Sequence, residues 1–424
     1  MIAAAVSSNS LPATDGQNPR KSNPEVHTYE IRKTRSSESA MIFFAYCLDT
    51  KQRIVIKVLR DYKDTRYNLT DPQKRLECQI EALQWNQKFT PDIYLGLGRI
   101  VKPGLSSLMQ NAKENSPHHT RRIIIEDITD DIQQLSTITN PGQEYALIME
   151  RLPKERRLDY LLRQRNTGAI YEILGTLVTR IVEMHEFAPY PDVTPFENNE
   201  RRWGSYEQLK DKLLHNTGLF DNLERLDNRS FHKDYSWLMN DLNKFIEDPV
   251  WHQYFNQRLE QGRIKRCHGD LKARNIWIES VENSSDPAHH VRILDAIDFN
   301  PSYCNIDVLS DIAMLIVDVE AVDTHLHERD DLGNRGSELA LFIRDTYYAY
   351  AKENKEDATT QLVLTYYLLE KALVRAAISL FYDRNEHPQL GPYFLRIAVK
   401  YMAQLKDLLQ IASSSSIKDL ATIA

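Results

Sequence analysis

The pattern of hydrophobic and polar positions changes once along the chain. Between residues 27 and 152, short runs of β-branched and aromatic residues dominate, as in MIFFAYCL, RIVIKVL, RRIIIEDI and YALIMERL. Runs of this length and composition predict β-strands. The segment DPQKRLECQIEALQWNQKF predicts a helix instead, because Asp71 can cap its start and Pro72 suits the first helical position.

From about residue 155 to residue 409, apolar residues mostly recur three and four positions apart, which predicts helices. Clear examples are YEILGTLVTRIVEMHEF and TTQLVLTYYLLEKALVRAAISLFY. The exception is the segment 264–299, where short strands are expected to flank turns. The chain therefore predicts an α+β fold of two lobes, a small antiparallel sheet with one helix followed by a large, mainly helical lobe.

The two ends of the chain lack this periodicity. Residues 1–26 are rich in Ser, Asn, Ala and Pro and predict a disordered tail. Residues 411–424 begin with IASSSS and predict a loose C-terminal tail. The small lobe then spans residues 27–152 and the large lobe residues 153–410. Binding sites commonly lie in the cleft between two such units, so the functional residues are expected there.

Composition and charge exclude several classes of protein. The net charge of −7 gives no general attraction to nucleic acid. The four cysteines form no C-x-x-C pair, which argues against a zinc or redox motif and fits a reducing compartment. No stretch of about 18 apolar residues is present to cross a membrane, and the N-terminus lacks the basic region of a secretory signal. A soluble cytoplasmic protein is expected.

The segment RCHGDLKARNIWI, residues 266–278, carries the first candidate chemistry. Phosphoryl transfer requires a carboxylate to orient the attacking hydroxyl and oxygen ligands to hold magnesium on the phosphates. The spacing of Asp270 and Asn275 matches the kinase catalytic loop H-R-D-x-x-x-x-N. Asp270 is therefore the candidate catalytic residue and Asn275 a candidate magnesium ligand. An ordinary turn with a helix cap is the alternative for this segment taken alone.

A second magnesium ligand is expected at the end of the predicted strand VRILDAIDFNP, residues 291–301. Asp298 and Phe299 there resemble the start of the kinase Asp-Phe-Gly motif. Asn300 replaces the glycine, and Asn tolerates positive φ. Asp295 lies three residues earlier, on the opposite face of the predicted strand, and is the alternative ligand. Asn275, Asp298 and phosphate oxygens would suit magnesium, which takes oxygen ligands.

The third element is Lys57 in the predicted strand IVIKVLR. In the kinase pattern V-A-I-K, such a lysine binds the α- and β-phosphates of ATP and pairs with a glutamate on the next helix. Glu81 is the favoured partner, and Glu77 on the same helix face is the alternative. A phosphate-covering G-x-G-x-x-G loop is absent from the sequence. Residues 35–40, including Ser37, are the candidate replacement, although they equally suit a plain hairpin turn.

Together these segments resemble the aminoglycoside phosphotransferase-like branch of the protein-kinase-like fold, in particular the bacterial group labelled aminoglycoside phosphotransferase family enzyme. The resemblance covers roughly residues 40–400. It rests on the segments GRIKRCHGDLKARNIWI, LDAIDFNPSYCNIDVLSDIAMLIVDVEA, LQWNQKFTPDIYLGLGRI and YALIMERLP. The triplet HGD in place of HRD, and the short spacing from Asp298 to Asp311, favour this branch over protein kinases. The resemblance implies an ATP- and magnesium-dependent kinase of a small hydroxylated molecule.

The resemblance also implies roles for further residues. Glu150 and Leu152 would belong to the hinge whose backbone binds adenine, and His268 would anchor the catalytic loop. Asp311 would brace that loop. Lys272 stands where this branch often has His, and matches the H-R-D-L-K form in which the lysine reaches the γ-phosphate.

Asp298 stands where this group commonly has Glu, which leaves the acceptor open. Two other functions compete with a small-molecule kinase. A nucleotide-binding pseudokinase that acts as a scaffold is favoured by the weak phosphate loop and opposed by the complete set of site residues. A protein kinase is favoured by Lys272 and by Asp298-Phe299, and opposed by the missing activation segment.

Overall fold

The computed structural model describes the larger part of the chain. The described residues are 25–37, 39–63, 68–90, 92–102, 122–138, 142–190, 203–218, 238, 241–242, 244–245, 247–279, 290–298, 300–329, 331–382 and 388–423. Residues 1–24 of the predicted N-terminal tail therefore lie outside the described part. So do Glu38 of the candidate phosphate loop and Phe299.

The small lobe is an antiparallel barrel of six strands. The strands are β1 (Val26–Ser36), β2 (Ala40–Cys47), β3 (Arg53–Leu59), β4 (Tyr94–Lys102), β5 (Arg122–Thr129) and β6 (Tyr145–Glu150). They pair in the order β1-β2-β3-β6-β4-β5, and the pairing of Val26 with Glu126 closes the barrel. The predicted antiparallel sheet is confirmed, while its closure into a barrel was not predicted.

Alternation along β3 separates side chains in the barrel interior from side chains on its outer face. In β3, Ile54, Ile56 and Val58 are buried inside the barrel among apolar residues of the other strands. Lys57 lies between them in sequence and so faces outward, since neighbouring side chains of a strand point to opposite faces. The helix α1 (Pro72–Phe89) begins at the predicted cap, where Asp71 accepts a hydrogen bond from the Gln73 amide at 2.9 Å.

The strand β4 was not predicted, because two glycines interrupt its sequence, YLGLGRIVK. Gly96 has φ of +142°, and the pairing register with β6 shifts between Tyr94 and Gly96. A Cβ at Gly98 would lie 2.3 Å from the Ile125 side chain of β5. The glycines thus bend the strand and let it approach β5, which helps the sheet to close.

A second, short helix of the small lobe, α2 (Ile132–Ser136), precedes β6.

The large lobe is mainly helical, as predicted. The large lobe contains α3 (Leu158–Leu161), α4 (Thr167–Phe187), α5 (Tyr206–Gly218), α6 (Val250–Glu260), α7 (Val308–His327), α8 (Arg335–Tyr350), α9 (Ala358–Ala377) and α10 (Gly391–Ile423). The helix α7 is buried along most of its length and forms the centre of the largest apolar core.

Two strand pairs lie in the large lobe within and beside the segment where short strands were predicted. The strand β7 (Ile264–Arg266) pairs with β10 (Asn305–Asp307), and β8 (Ile276–Ile278) pairs with β9 (Val291–Ile293). The first pair leads into the loop that carries Asp270 and into α7. The second pair connects the end of that loop to the segment with Asp295 and Asp298.

The helix α10 continues to Ile423, so the backbone is helical where a loose C-terminal tail was predicted. Ser residues are only moderately unfavourable in helices, and the spacing of Ile417, Leu420 and Ile423 continues the apolar repeat past them. Separately, none of the helices in the described part of the chain is both long and apolar enough to cross a bilayer.

Candidate active site

The loop that carries Asp270 begins directly after β7. Gly269 has φ of +84°, and a Cβ built on it would lie 2.5 Å from the carbonyl oxygen of Tyr303. Glycine is the residue that tolerates both this backbone conformation and so close an approach. The fold therefore requires glycine immediately before Asp270, which gives a physical reason for the HGD triplet.

Asp311 at the start of α7 braces this loop, as predicted. Its carboxylate accepts hydrogen bonds from the amides of His268 at 3.0 Å and Gly269 at 2.8 Å. The Nε2 atom of His185 lies 3.1 Å from the same carboxylate. Burial opposes ionisation of Asp311, but His185, His268 and the Gly269 amide hold its pKa below the usual value.

The His268 side chain anchors the loop from its other side, also as predicted, since its Nε2 atom lies 3.0 Å from the carbonyl oxygen of Leu294. A further brace was not predicted. The Asp318 carboxylate accepts a hydrogen bond from the Ala273 amide at 2.8 Å and one from Arg375 at 3.0 Å. Asp318 and Arg375 lie far apart in sequence on different helices, so no local motif indicates their contact.

Asp270, Lys272 and Asn275 converge at the end of the loop. The Lys272 ammonium lies 2.8 Å from Asp270 Oδ2. The Asn275 side-chain amide donates to Asp270 Oδ2 at 3.2 Å and to the Asp270 carbonyl oxygen at 3.0 Å. None of these contacts uses Asp270 Oδ1 or the Asn275 side-chain oxygen. The predicted catalytic residues and the predicted ligand Asn275 are therefore brought together.

Lys57 reaches this group from the small lobe. Its Nζ atom lies 3.0 Å from Asp295 Oδ1 and 3.9 Å from Asp298 Oδ2. Burial alone would lower the pKa of Lys57, but the two carboxylates raise it above the usual value. The lysine is therefore held as a cation between the lobes, opposite Asp295 and Asp298.

The prediction that Asp295 and Asp298 lie on opposite faces of a strand is wrong. The strand β9 ends at Ile293, and Asp295 has φ of +66°, outside the range of strand residues. Its amide donates to the Tyr94 hydroxyl at 3.0 Å, which fixes the turn. Both carboxylates consequently face Lys57, and alternation does not decide which of them is a metal ligand.

The two aspartates differ in environment. The side chain of Asp295 is 57% exposed and that of Asp298 is 9% exposed. The Lys57 ammonium lowers the pKa of Asp295 to about 2. Burial raises the pKa of Asp298 above its usual value, although Lys57 opposes this shift. Asp295 is thus held as an anion by an ion pair, whereas Asp298 is a buried carboxylate whose charge calls for a cation.

The predicted pairing of Lys57 with Glu81 is absent from this structure. Glu81 lies 2.9 Å from the Arg266 guanidinium, which stacks over the Trp85 ring at 4.6 Å. The alternative partner, Glu77, lies 3.3 Å from Lys74 on the same helix. The competing arginine comes from β7, far along the chain, so the sequence around α1 did not indicate it.

A cavity of about 340 Å³ lies between the lobes at this point. Its lining includes the predicted residues Ser37, Lys57, Asp270, Lys272, Asn275 and Asp298, together with Asp295, Arg157 and Arg274. The two arginines were not predicted. Burial first, and then the charges of Arg274 and Arg157, lower the pKa of Arg35. The cavity is thus lined by both acidic and basic side chains.

Ser37 lies in a tight turn between β1 and β2. Its amide donates to the Ala40 carbonyl at 2.9 Å, and its hydroxyl accepts from the Ala40 amide at 3.0 Å. The described residues of this segment form a hairpin turn, and Ser37 also lines the cavity. A contact of this loop with phosphate stays a prediction.

The predicted hinge residues do not border this cavity. The Glu150 amide donates to the Ile93 carbonyl at 2.9 Å and so is committed to the fold. Leu152 is half-buried against an apolar cluster that also includes Leu147 and Leu294. The Glu150 amide is thus already used within the fold, and contact of the hinge residues with adenine stays a prediction.

The residues of the cleft fit magnesium. Asp298 supplies a buried carboxylate oxygen and Asn275 an amide oxygen, which are the hard oxygen donors that magnesium prefers. Asp295 adds a carboxylate on the same side of Lys57. Water and phosphate oxygens usually complete the coordination of magnesium in such sites.

The solved structures confirm the fold class that the sequence predicted. The chain has the fold of a choline kinase from Cryptosporidium parvum Iowa II, with 9% sequence identity, a TM-score of 0.50, and coverage of 91% of this chain and 92% of that chain. This similarity identifies the protein-kinase-like, two-lobed α+β fold.

Other similar structures include a Plasmodium vivax ethanolamine kinase, with 11% identity, a TM-score of 0.36, and coverage of 91% of this chain and 83% of that chain. A spectinomycin phosphotransferase in complex with ADP and spectinomycin has 13% identity, a TM-score of 0.38, and coverage of 88% of this chain and 93% of that chain. No protein-family model matches the chain, and no curated protein matches it either.

Proposed function

We propose that this chain is an ATP- and magnesium-dependent phosphotransferase that acts on a hydroxyl group of a small molecule. The observation that carries the proposal is the convergence of Lys57, Asp270, Asn275 and Asp298 on one cavity between the lobes. These residues come from three separate segments of the chain, and the fold brings them together. The fold shared with a choline kinase supports the same class of reaction.

The contacts suggest how these side chains divide the reaction. Asp270 Oδ1 would accept the proton of the acceptor hydroxyl and hold its oxygen in line with the γ-phosphorus. The oxygen of the acceptor hydroxyl forms the new bond to the γ-phosphorus. At the same time the bond from the γ-phosphorus to the β–γ bridging oxygen breaks, and ADP leaves. Lys57 would bind the α- and β-phosphates, and Lys272 the γ-phosphate. Magnesium, held by Asn275 and Asp298, would neutralise phosphate charge.

Donor binding must rearrange the ion pairs of the cleft. Lys57 is paired with Asp295, and Lys272 is paired with Asp270. A triphosphate would compete with these carboxylates for both lysines. Release of Lys272 from Asp270 would then free the carboxylate for the acceptor, which couples donor binding to activation of the base.

The direct test of the proposal measures ATP consumption with and without magnesium, using pools of hydroxylated metabolites and a generic protein substrate. Magnesium-dependent turnover with a small-molecule pool is expected. Phosphorylation of the protein substrate alone would favour a protein kinase instead. Nucleotide binding without phosphoryl transfer to any acceptor, water included, would favour a pseudokinase. The ion pairs Lys57–Asp295 and Lys272–Asp270, which occupy both lysines, are the structural argument for that alternative.

The same proposal sets the expected surroundings of the reaction. The cleft would bind a small-molecule substrate, and neither nucleic acid nor a membrane is expected to take part. The reaction would take place in the cytoplasm. ATP and GTP are both offered as phosphoryl donors in this assay, each with the pools of hydroxylated metabolites.

Replacement of Lys57 by Met is expected to weaken ATP binding at least about tenfold, because a charge-assisted contact to phosphate is lost. The fold should persist, since Met suits a strand whose neighbours are apolar. Calorimetric titration of ATP in the presence of magnesium measures the effect. Lys33→Met is the matched control, because Lys33 is an exposed lysine on β1. Equal ATP affinity of wild type and Lys57→Met would remove Lys57 from the site.

Asp298→Asn is expected to abolish the dependence of ATP binding on magnesium, whereas Asp295→Asn is expected to weaken it less. Burial raises the pKa of Asp298, and a metal ligand must be deprotonated, so protons compete with magnesium. The magnesium affinity of the wild type should therefore fall as the pH is lowered. This fall should begin at a higher pH than it would if the ligand were an aspartate with its usual pKa.

Titrations of magnesium at several pH values, with the nucleotide held constant, separate the two aspartates. The Asp298→Asn variant should lose the pH dependence along with the affinity. If Asp295→Asn alone abolishes the magnesium effect, Asp295 is the ligand and the role of Asp298 is confined to holding Lys57.

A further inference from the structure

Three side chains with metal-binding atoms meet at one end of the barrel, away from the cleft. They are His27 at the start of β1, Cys47 at the end of β2 and Asp49 in the turn that follows. Their nitrogen, sulfur and carboxylate oxygen atoms all lie within 4.8 Å of one another. Cys47 is buried and Asp49 is exposed, so the group spans the surface of the barrel.

The backbone that carries these side chains is held by several hydrogen bonds. The Leu48 amide donates to the Thr28 carbonyl at 2.9 Å, and the Thr28 amide donates to Asp49 Oδ2 at 2.9 Å. The turn is closed by the Lys51 amide, which donates to the Cys47 carbonyl at 3.0 Å. The three ligand atoms are therefore presented by a preformed strand pair rather than by free loops.

The two ring nitrogens of His27 differ in their contacts. Nε2 lies 3.3 Å from Glu25 Oε1, while Nδ1 lies 3.9 Å from Asp49 Oδ2. Nδ1 is buried and has no hydrogen-bond partner among the described residues. Histidines that bind a metal commonly donate their other N–H to a carboxylate, which orients the ring. Glu25 is near enough to His27 Nε2 to take this role, and Nδ1 faces Asp49.

A second cluster with the same residue types serves as an internal comparison. His185, Cys267 and Asp311 are equally close together beneath the catalytic loop. There the donors are already used, because His185 contacts Tyr347 at 2.8 Å and Asp311 at 3.1 Å, and Asp311 also accepts two amides of the loop. That cluster is satisfied without a metal, whereas His27 Nδ1 is not.

We propose that His27, Cys47 and Asp49 form a zinc site that is separate from the phosphotransfer cleft. An imidazole, a thiolate and a carboxylate are the ligand types that zinc takes, and ligands around tetrahedral zinc lie about 3–4 Å apart. The present separations require only small side-chain rotations. On binding, the S–H bond of Cys47 gives way to a zinc–sulfur bond and the proton passes to solvent. Water occupies the fourth position.

The site would tie the start of β1 to the turn between β2 and β3. Its expected consequence is stabilisation, because a metal that binds only the folded chain raises the melting temperature as its concentration rises. The proposal does not depend on phosphotransferase activity, and its readouts require neither ATP nor an acceptor.

Cobalt(II) is the suitable probe, because a cobalt–thiolate bond gives a charge-transfer absorption that oxygen and nitrogen ligands do not give. Titration of the full chain, with excess magnesium to occupy the cleft, is expected to give this band with one equivalent of cobalt, and zinc should displace it. Cys47→Ser should lose the band, and Cys267→Ser, the matched control in the second cluster, should retain it. Glu25→Gln should weaken affinity about 10–100-fold.

His27→Gln provides a second variant if Cys47→Ser does not fold, and its melting temperature without metal checks its integrity. Zinc should raise the melting temperature of the wild type and leave that of folded His27→Gln unchanged. The proposal is overturned if the wild type shows no thiolate band. It is overturned equally if the band disappears in Cys267→Ser but persists in Cys47→Ser or His27→Gln.

Discussion

Asp270→Asn is expected to reduce turnover by about 10²–10⁴-fold, the usual contribution of a positioned acid–base group. The substitution keeps the shape of the side chain but removes the acceptor for the proton of the attacking hydroxyl. The contact of the Asn275 amide with the Asp270 carbonyl, at 3.0 Å, does not depend on the carboxylate. The ion pair with Lys272 is partly exposed and so contributes at most about 1 kcal/mol to stability.

The melting temperature and the affinity for ATP should therefore change little in Asp270→Asn, and all three quantities are to be measured on one preparation. Asp345→Asn, an exposed aspartate on α8, is the control for the chemical change itself. A joint loss of stability, ATP affinity and turnover would instead assign Asp270 a structural role. If no acceptor is found, slow hydrolysis of ATP to ADP and phosphate is a substitute readout.

Arg258→Met is expected to lower the free energy of unfolding by about 3–5 kcal/mol, the usual cost of removing one partner from a buried ion pair. The Arg258 guanidinium contacts Asp307 at 2.9 and 2.8 Å and Glu353 at 2.8 and 3.0 Å. All three side chains are almost fully buried. Removal of the arginine would take the shared cation away from two buried carboxylates, although Glu353 would keep its longer contact with Arg263 at 3.6 Å.

Asp307 ends β10 and caps α7 by accepting a hydrogen bond from the Leu309 amide at 2.9 Å. Loss of the Arg258 guanidinium is therefore expected to loosen the pairing of β7 with β10, which leads into the catalytic loop. Denaturant unfolding measures the effect, with Arg32→Met, which breaks an exposed pair with Glu30, as the matched control.

The triple variant Arg258→Met, Asp307→Asn and Glu353→Gln tests the explanation, because it removes the arginine and both carboxylate charges. Asn keeps the capping function of Asp307. The triple variant should recover much of the lost stability. If it is as unstable as Arg258→Met, packing of the arginine rather than uncompensated charge explains the loss.

The elements of the small lobe could be predicted where strand alternation was regular, as in RIVIKVL, and where a helix carried its own cap, as at Asp71. The strand β4 was missed because its glycines remove the β-branched pattern while serving the bend of the sheet. Closure of the barrel depends on pairing between β1 and β5, from Val26 with Glu126 to Glu30 with Arg122, and no local pattern encodes a pairing so distant in sequence.

The same distinction between local and long-range features applies to the residues of the site. The positions of Asp270 and Asn275 follow from a spacing within one loop, and the structure brings both to the cavity. The partner of Lys57 was wrong, since Arg266 draws Glu81 away and Asp295 takes its place. Whether Asp295 and Asp298 point to the same side depends on the backbone between them. The positive φ of Asp295 could not be inferred from the alternation of the sequence.

Each of the six barrel strands that the structure describes is hydrogen-bonded to a strand on both sides, so closure leaves no unpaired edge among these six. Two consequences follow for the behaviour of the protein. Strand-by-strand association with other chains, which begins at free sheet edges, is suppressed at this lobe. Since a closed sheet resists shear, widening of the cleft is expected as a rotation of the whole barrel, which would carry Lys57 away from Asp295 without deforming β3.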